Sequence, residues 1–380
     1  MRGNIEKRGR NSWRIQVYDG KGPDGKPRRL FETVRGRKDH ADRRLREILS
    51  NLDKGIYTPP GKLTVADMLN QWLDGYVKTN CSQRTLDGYQ AIAASHLVPA
   101  LGQYQLKHLN HQHIQSYYGK AIERLSARTV HHQHRVLSEA LRYAVRKGYL
   151  GRNPCDLADP PKPQKKTMRY LTPEELATLL EAGSGSLYYP VIYTAVSSGL
   201  RRAELLALRW RDIDFDSQSI LVSRTLQKRR GVIDFKEPKT EHSRRRVSMT
   251  PKLAAYLREY KAERESRFLH LGRLPRVDDL VFSNIEGKPI DPSVLSHNFA
   301  RIAKRAGLQG VRFHDLRHTF ASLMLLNGVA PKIISEALGH ASVAFTMDVY
   351  SHILPGMQEE AMALLDRILP EGKNGGVSKI

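Results

Sequence analysis

The sequence predicts a multidomain, mainly α-helical protein with small β elements, and three observations predict it. Apolar residues recur at helical spacing throughout 64–148 and over most of 172–350, while alternation is confined to short runs near 12–18, 28–34 and 219–249. Two proline-rich breaks, at 58–62 and 151–167, cut the chain. Its 380 residues are enough for two or three domains at roughly 150 residues each.

The N-terminal module, 1–58, reads as a small β-sheet plus one helix. Trp13, Ile15 and Val17 share one face of a half-buried strand over 12–18. After a turn at 19–26, a second strand is predicted near 28–34, and Leu45, Ile48, Leu49 and Leu52 mark a helix over 39–52. Arg14, Lys26, Arg28 and Arg29 make the strands basic. A basic β-ribbon of this size fits a DNA major groove, and a packing or dimerisation hairpin is the alternative.

Thr58-Pro59-Pro60-Gly61-Lys62 is a linker. An α-helical domain follows over 62–150: Thr64 caps a helix over 66–76, Ser82 opens one over 85–96, and two more cover 110–125 and 127–147. The next linker, 151–167, holds Pro154, Pro160, Pro161, Pro163, Lys162, Lys165 and Lys166, and is expected to be extended and basic. Thr172-Pro173-Glu174-Glu175 then signals a capped helix start. Helices are predicted at 190–198 and 202–210, strands at 219–226, 231–235 and 244–249, and helices at 251–269, 291–306, 315–326, 331–338 and 342–350. The region 168–370 is thus mostly α with a small antiparallel sheet inserted after its third helix, and 371–380 is a polar, Gly-rich tail.

Sixty-two Lys+Arg against 39 Asp+Glu leave a net charge of +23, divided as +8 over 1–58, +8 over 59–167 and +7 over 168–380. Such a balance points to a polyanion, and its even spread suits a long phosphate backbone better than a basic tail does. No apolar run approaches the roughly 18–20 residues a bilayer span needs, and the basic N-terminus lacks the apolar stretch of a signal peptide. A cytoplasmic protein without a membrane partner is expected. Two cysteines, Cys81 and Cys155, exclude a disulfide framework and a four-cysteine zinc site. His108, His111 and His113, and again His131, His132 and His134, invite a metal reading. Ligands two apart on a helix diverge, however, and no carboxylate pair stands nearby, so neither metal nor cofactor is expected.

One set of residues makes chemical sense together. Ser198-Gly199-Leu200-Arg201-Arg202-Ala203-Glu204 sets an arginine at a helix start, where free N–H groups already favour an anion. Lys239-Thr240 precedes the basic strand Arg244-Arg245-Arg246-Val247. His314-Asp315-Leu316-Arg317 puts His and Arg on one helical face, and Leu338-Gly339-His340 is followed by Tyr350. Two guanidiniums can clamp the non-bridging oxygens of a pentacoordinate phosphate. A tyrosine phenol can attack and later leave, conserving the bond energy in a phosphotyrosine. A lysine on a hairpin can protonate the departing 5′-hydroxyl. That chemistry is strand transfer rather than hydrolysis.

These five motifs, in this order, resemble the tyrosine recombinases of the phage-integrase family over residues 168–370. The 62–150 module is similar to their core-binding domain, and 1–58 to the arm-binding module of temperate-phage and conjugative-element integrases. The resemblance implies that Arg201, His314, Arg317 and His340 are catalytic, and that Tyr350 is the nucleophile for the 3′-phosphate. It assigns the hairpin lysine to Lys239, with Lys236 as the alternative, and gives Glu204 the task of orienting Arg201. Ser198-Gly199 stands where the family has Thr-Gly. Arg202, about 100° round the helix, is expected at the surface or on DNA, and His318 as a packing or surface histidine.

The resemblance further implies a site-specific recombinase that integrates or excises a phage or mobile element through a Holliday junction. It would act as a homotetramer on double-stranded DNA with core and arm attachment sites. The core-binding and catalytic domains would form a C-shaped clamp, the segment 358–369 would dock on a neighbouring protomer, and a host DNA-bending protein and an excisionase are candidate partners. A type IB topoisomerase uses similar chemistry, but the separate N-terminal module and long linker count against it. A silent DNA-binding regulator is disfavoured because every catalytic residue type is present.

Overall fold

A computed structural model describes residues 3–21, 27–53, 63–164, 168–229, 231–237, 244–340 and 342–350, together with 362, 366 and 369. Lys26, the 58–62 linker, Lys165, Lys166, Lys239, most of 358–369 and the 371–380 tail lie outside the described residues. The chain divides into two compact units, Met1–Lys165 and Lys166–Ile380.

The first unit begins with an antiparallel sheet of β1 (Gly3–Gly9), β2 (Ser12–Lys21) and β3 (Pro27–Arg35), ordered β1-β2-β3, followed by α1 (Lys38–Asp53). Ile15 and Val17, both 1% exposed, pack with Leu30 and with Ile48 of α1, as their alternation predicts. Strand β1 was not predicted. Its apolar content is Ile5 alone, which pairs opposite Ile15, so long-range pairing rather than its own pattern makes it a strand. The guanidinium of Arg14 lies 4.3 Å from the Phe31 ring centroid, and Phe31 is exposed.

The helical part runs α2 (Val65–Trp72), a π-turn (Leu73–Val77), α3 (Lys78–Asn80), α4 (Gln83–Ile92), a second π-turn (Ala93–Leu97), α5 (Val98–Leu101), α6 (His111–Ile122) and α7 (Ala127–Arg146). Thr64 caps α2 in a reciprocal pair with Asp67. The two expected helices over 66–76 and 85–96 each contain one widened turn. Trp72, fully buried, stacks on Tyr89 at 5.3 Å in the core of this module. The first part of the expected linker belongs to the same core: Asn153 caps a short turn, Pro154–Leu157, and Cys155 and Ala158 are buried. The histidine stretches do helix work. His113 closes a capping box with Asn110 and stacks on Tyr104, and His134 lies 2.5 Å from the Tyr118 hydroxyl.

The second unit opens with α8 (Pro173–Gly183), where Thr172 and Glu175 form the predicted capping box, then α9 (Tyr189–Ser198) and α10 (Arg202–Leu205). Helix α10 stops short of the expected residue 210. Arg209 turns instead to Asp212, at 3.1 Å, and its backbone bridges to Leu280. Next come β4 (Ile213–Asp214), β5 (Ser219–Val222), β6 (Thr225–Arg229), β7 (Val232–Lys236) and β8 (Arg245–Ser248). They form a sheet ordered β4-β5-β8 and a separate β6-β7 hairpin. The strand predicted over 219–226 breaks at Ser223 and Arg224, where Arg224 Nε donates to the Ala207 carbonyl at 2.7 Å.

Helices α11 (Pro251–His270), α12 (Pro292–Arg305), α13 (Asp315–Leu326), α14 (Pro331–Leu338) and α15 (Val343–Tyr350) complete the unit. Its main core joins Leu253, Leu257, Phe282, Phe299 and Leu316, and a smaller one joins Ala321, Leu325, Ile334, Leu338 and Tyr350. The architecture is therefore multidomain and mainly helical with small antiparallel sheets, as predicted. Among the described residues no helix is long and apolar enough to cross a membrane.

Candidate active site

Two glycine-ended helices and the start of a third bring the predicted residues together. Helix α9 ends at Gly199 with φ +65°, a left-handed conformation that favours glycine. A Cβ there would also meet Phe320 of α13 at 2.5 Å and Leu338 of α14 at 2.8 Å. Helix α14 ends the same way at Gly339, φ +63°. The end of α9, the start of α13 and the end of α14 thus converge, and the functional side chains project from their junction.

Arg201 precedes α10 and remains 39% exposed. Its Nη1 donates to Glu204 Oε1 at 2.9 Å, its backbone N–H to Glu204 Oε2 at 2.9 Å, and its Nη2 to the Gly339 carbonyl at 3.1 Å. Arg317, on α13, is only 4% exposed. Its Nη1 donates to the Gly199 carbonyl at 2.8 Å and its Nη2 to the Leu338 carbonyl at 2.6 Å. His314 stands exposed at the start of α13, its ring perpendicular to that of His318 at 4.9 Å. His340 shares a hydrogen bond of 2.8 Å with Thr346 on α15. Tyr350 ends α15, 1% exposed.

The structure therefore gathers Arg201, His314, Arg317, His340 and Tyr350, and Glu204 holds Arg201 as expected. Lys239 lies outside the described residues. The alternative, Lys236, is exposed on β7, whereas Lys228 on β6 is paired with Asp291, the N-cap of α12. Arg202 departs from expectation: it is half-buried, and its Nη1 donates to the Pro292 carbonyl at 3.0 Å and to Ser296. Its position round α10 points it at the first turn of α12.

Two residues that the motifs pass over belong to the site. His318, expected in packing or at the surface, is 8% exposed and shares a 2.9 Å hydrogen bond between Nδ1 and the Tyr350 hydroxyl. Its spacing of one turn from His314 was visible, but a partner 32 residues away was not. Arg245 donates from Nε to the Ala337 carbonyl at 2.8 Å and from Nη1 and Nη2 to the Glu204 oxygens at 3.2 and 3.0 Å. Alternation along β8 would have found it, since Arg245 faces inward with Val247 while Arg244 and Arg246 face out.

The electrostatics follow from burial among cations. Burial, then the neighbouring Arg201, pulls Arg317 down to about 9, which still leaves it charged at neutral pH. Burial and the charges of Arg317 and Arg201 take His340 down to about 4, and burial with His314 does the same for His318. Burial alone would push Glu204 up, but the bonds and charge of Arg245 and the charge of Arg201 outweigh it and hold the carboxylate low. Burial raises Tyr350 to about 12, against the pull of Arg317. The site is a cationic recess with two neutral imidazoles and a protonated phenol.

Neutral buried histidines make stability depend on pH. Between about 4 and the ordinary histidine value of ~6.5, the unfolded chain binds protons that folded His318 and His340 refuse. Stability is therefore complete above about pH 6.5 and is lost as pH falls toward 4, by up to roughly 3 kcal/mol for His318. Thermal melts from pH 8 to 4 should show this decline, and His318→Gln should flatten part of it. An unchanged slope in that variant would contradict the buried neutral histidine.

Residues 169–356 match the model of the phage integrase family, and 64–122 match the phage integrase N-terminal SAM-like domain. The chain is 29% identical over 384 residues to the tyrosine recombinase XerC-like protein of Caldanaerobacter subterraneus subsp. tengcongensis, covering 96% of this chain and 98% of that one. It is 34% identical over 247 residues to the ICEBs1 integrase of Bacillus subtilis, covering 64% and 67% respectively. The Tn1549 transposon integrase in complex with transposon right end DNA shares the fold, with a TM-score of 0.69 at 22% identity over 80% of this chain and 99% of that one.

Proposed function

Because the chain belongs to the phage integrase family and is a tyrosine-type site-specific recombinase, we propose that Tyr350 is the nucleophile that breaks a DNA strand and keeps its 3′-phosphate. One observation carries this reading: Arg201 and Arg317 both anchor on the end of α14, beside the buried Tyr350 that follows it.

The Tyr350 oxygen attacks the scissile phosphorus and the bond to the 5′-oxygen breaks. Neutral His318, which holds the buried phenol at 2.9 Å, accepts its proton as Tyr350 turns out toward the phosphate. Arg201 and Arg317, with His314 and His340, meet the charge that develops on the phosphorane. Lys239, with Lys236 as the alternative, protonates the leaving 5′-oxygen, which departs as a hydroxyl. Religation runs these steps backward with the 5′-hydroxyl of the other duplex, so no bond energy is lost. Two such exchanges pass through a Holliday junction, and the symmetry of two duplexes with four cleavage sites calls for a homotetramer. The products are the integration or excision of a phage or mobile element.

The DNA-binding work divides along the chain. Residues 62–150, with the 154–158 stretch packed into the same core, and residues 168–370 hold the core site as core-binding and catalytic domains. Residues 1–58 hold arm sites through the β-sheet face that carries Arg14 and exposed Phe31. The protein acts on DNA in the cytoplasm of a bacterial host, with a host DNA-bending protein and an excisionase as accessory partners. Binding to phosphates by a chain of net charge +23 should weaken steeply with salt.

A nicked suicide duplex taken from the DNA flanking the gene tests the chemistry. An SDS-resistant adduct is expected, with DNA joined to the peptide containing Tyr350 through its 3′-phosphate, in yield undiminished by chelator. Strict dependence on a divalent metal would contradict the mechanism. Relaxation of any supercoiled plasmid, without a cognate site, would favour the topoisomerase reading instead.

A further inference from the structure

Three consecutive carbonyls at the end of α14 each accept from a different arginine. Ala337 accepts from Arg245 at 2.8 Å, Leu338 from Arg317 at 2.6 Å and Gly339 from Arg201 at 3.1 Å. The last carbonyls of a helix lack intrahelical partners and form the negative end of its dipole, so cations are favoured there. Three guanidiniums in one place nevertheless repel one another. Glu204 reconciles them. Its carboxylate, 3% exposed, receives Arg245 on both oxygens and the Arg201 side chain and backbone on the same two.

Arg245 is built into this position rather than presented to a substrate. Its side chain is 8% exposed. A Cβ at Gly339 would lie 2.9 Å from its Nη1 and 3.0 Å from its Cζ, so the glycine leaves the room its guanidinium occupies.

We propose that Arg245 is a positioning residue for strand cleavage: it saturates Glu204, so that the carboxylate orients Arg201 without neutralising it. Arg201 and Glu204 alone would form a neutral pair, and a carboxylate prefers a guanidinium bound through both oxygens. With Arg245 holding both oxygens and the α14 end, the trio keeps one net positive charge. That charge resides on Arg201, the exposed member, and faces the phosphate. Without Arg245, Glu204 would draw the Arg201 guanidinium onto itself. The inference rests on the roles proposed above for Arg201 and Tyr350.

Single-turnover adduct formation on the nicked duplex, at saturating protein, tests it. Arg245→Gln should bind the duplex within about twofold of the wild-type affinity yet form adduct roughly 100-fold more slowly, the size of a lost transition-state donor. With a methylphosphonate at the scissile position, which presents no anionic oxygen pair to a guanidinium, the deficit relative to wild type should shrink below about tenfold. An equal deficit on both duplexes, or a wild-type rate on the phosphodiester, overturns the proposal. Arg245→Lys keeps the charge but gives Glu204 fewer bonds. It should regain part of the phosphodiester rate, and it carries the same two-duplex comparison if the glutamine variant does not fold. Wild-type protein forming no adduct would overturn the function and this role together, whereas wild-type adduct with an unimpaired Arg245→Gln overturns the role alone.

Discussion

Tyr350→Phe is expected to bind the nicked duplex normally and to form no detectable adduct, a loss of at least about 10⁴-fold, because the oxygen that makes the new bond is gone. The fold should survive the change. The ring stays in the small core with Ala321, Leu325, Ile334 and Leu338, so no cavity opens. What is lost is the 2.9 Å hydrogen bond to His318, which leaves a buried imidazole nitrogen unpaired at a cost of about 1–2 kcal/mol. Denaturing gels would read the adduct, gel shifts the binding and thermal melts the stability. Adduct persisting in Tyr350→Phe would show that another residue is the nucleophile. The same contact gives cleavage a conformational requirement. With the phenol 1% exposed, Tyr350 must come out of its packed position before it can meet a phosphate.

What could be read beforehand was chiefly what is local. The Thr172 cap, the helix start at Pro173 and the ends of the helices predicted over 190–198 and 331–338 each depend on a few adjacent residues, and each is found where the pattern placed it. The order of the five motifs carried the chemistry, because residue types recur where the reaction needs them. Features fixed by distant partners were not readable. Strand β1 exists because Ile5 pairs with Ile15, and α10 stops early because Arg209 finds Asp212 and the chain near Leu280. The π-turns inside the expected 66–76 and 85–96 helices shift register without altering the apolar spacing much, so periodicity does not register them. His318 looked like an ordinary helix residue until Tyr350 stood beside it; the inward alternation of Arg245 on β8 was readable, but its partner Glu204 was not.

Arg317 is where stability and chemistry meet most closely, and substitution there should separate them. Arg317→Ala removes both donors from the Gly199 and Leu338 carbonyls and empties a buried site, so it should cost roughly 3–5 kcal/mol of stability as well as activity. Arg317→Lys is the more informative change. A lysine keeps the charge and most of the volume, and should melt within about 2 kcal/mol of wild type. One ammonium cannot hold two carbonyls on different helices and also present a flat, bidentate edge to a phosphate, so cleavage should still fall about 10³-fold. The residual activity should carry a pH signature. The burial and the Arg201 charge that lower Arg317 to about 9 would act on a lysine whose ordinary value is only ~10.4. Its charged fraction, and with it the cleavage rate, should drop as pH rises from 6 to 8, over a range where wild-type Arg317, at about 9, stays mostly protonated. Single-turnover rates for the two proteins across that range decide the matter. A lysine variant within tenfold of wild type, or with the same pH profile, would mean that Arg317 serves the fold alone and that the phosphate is met elsewhere.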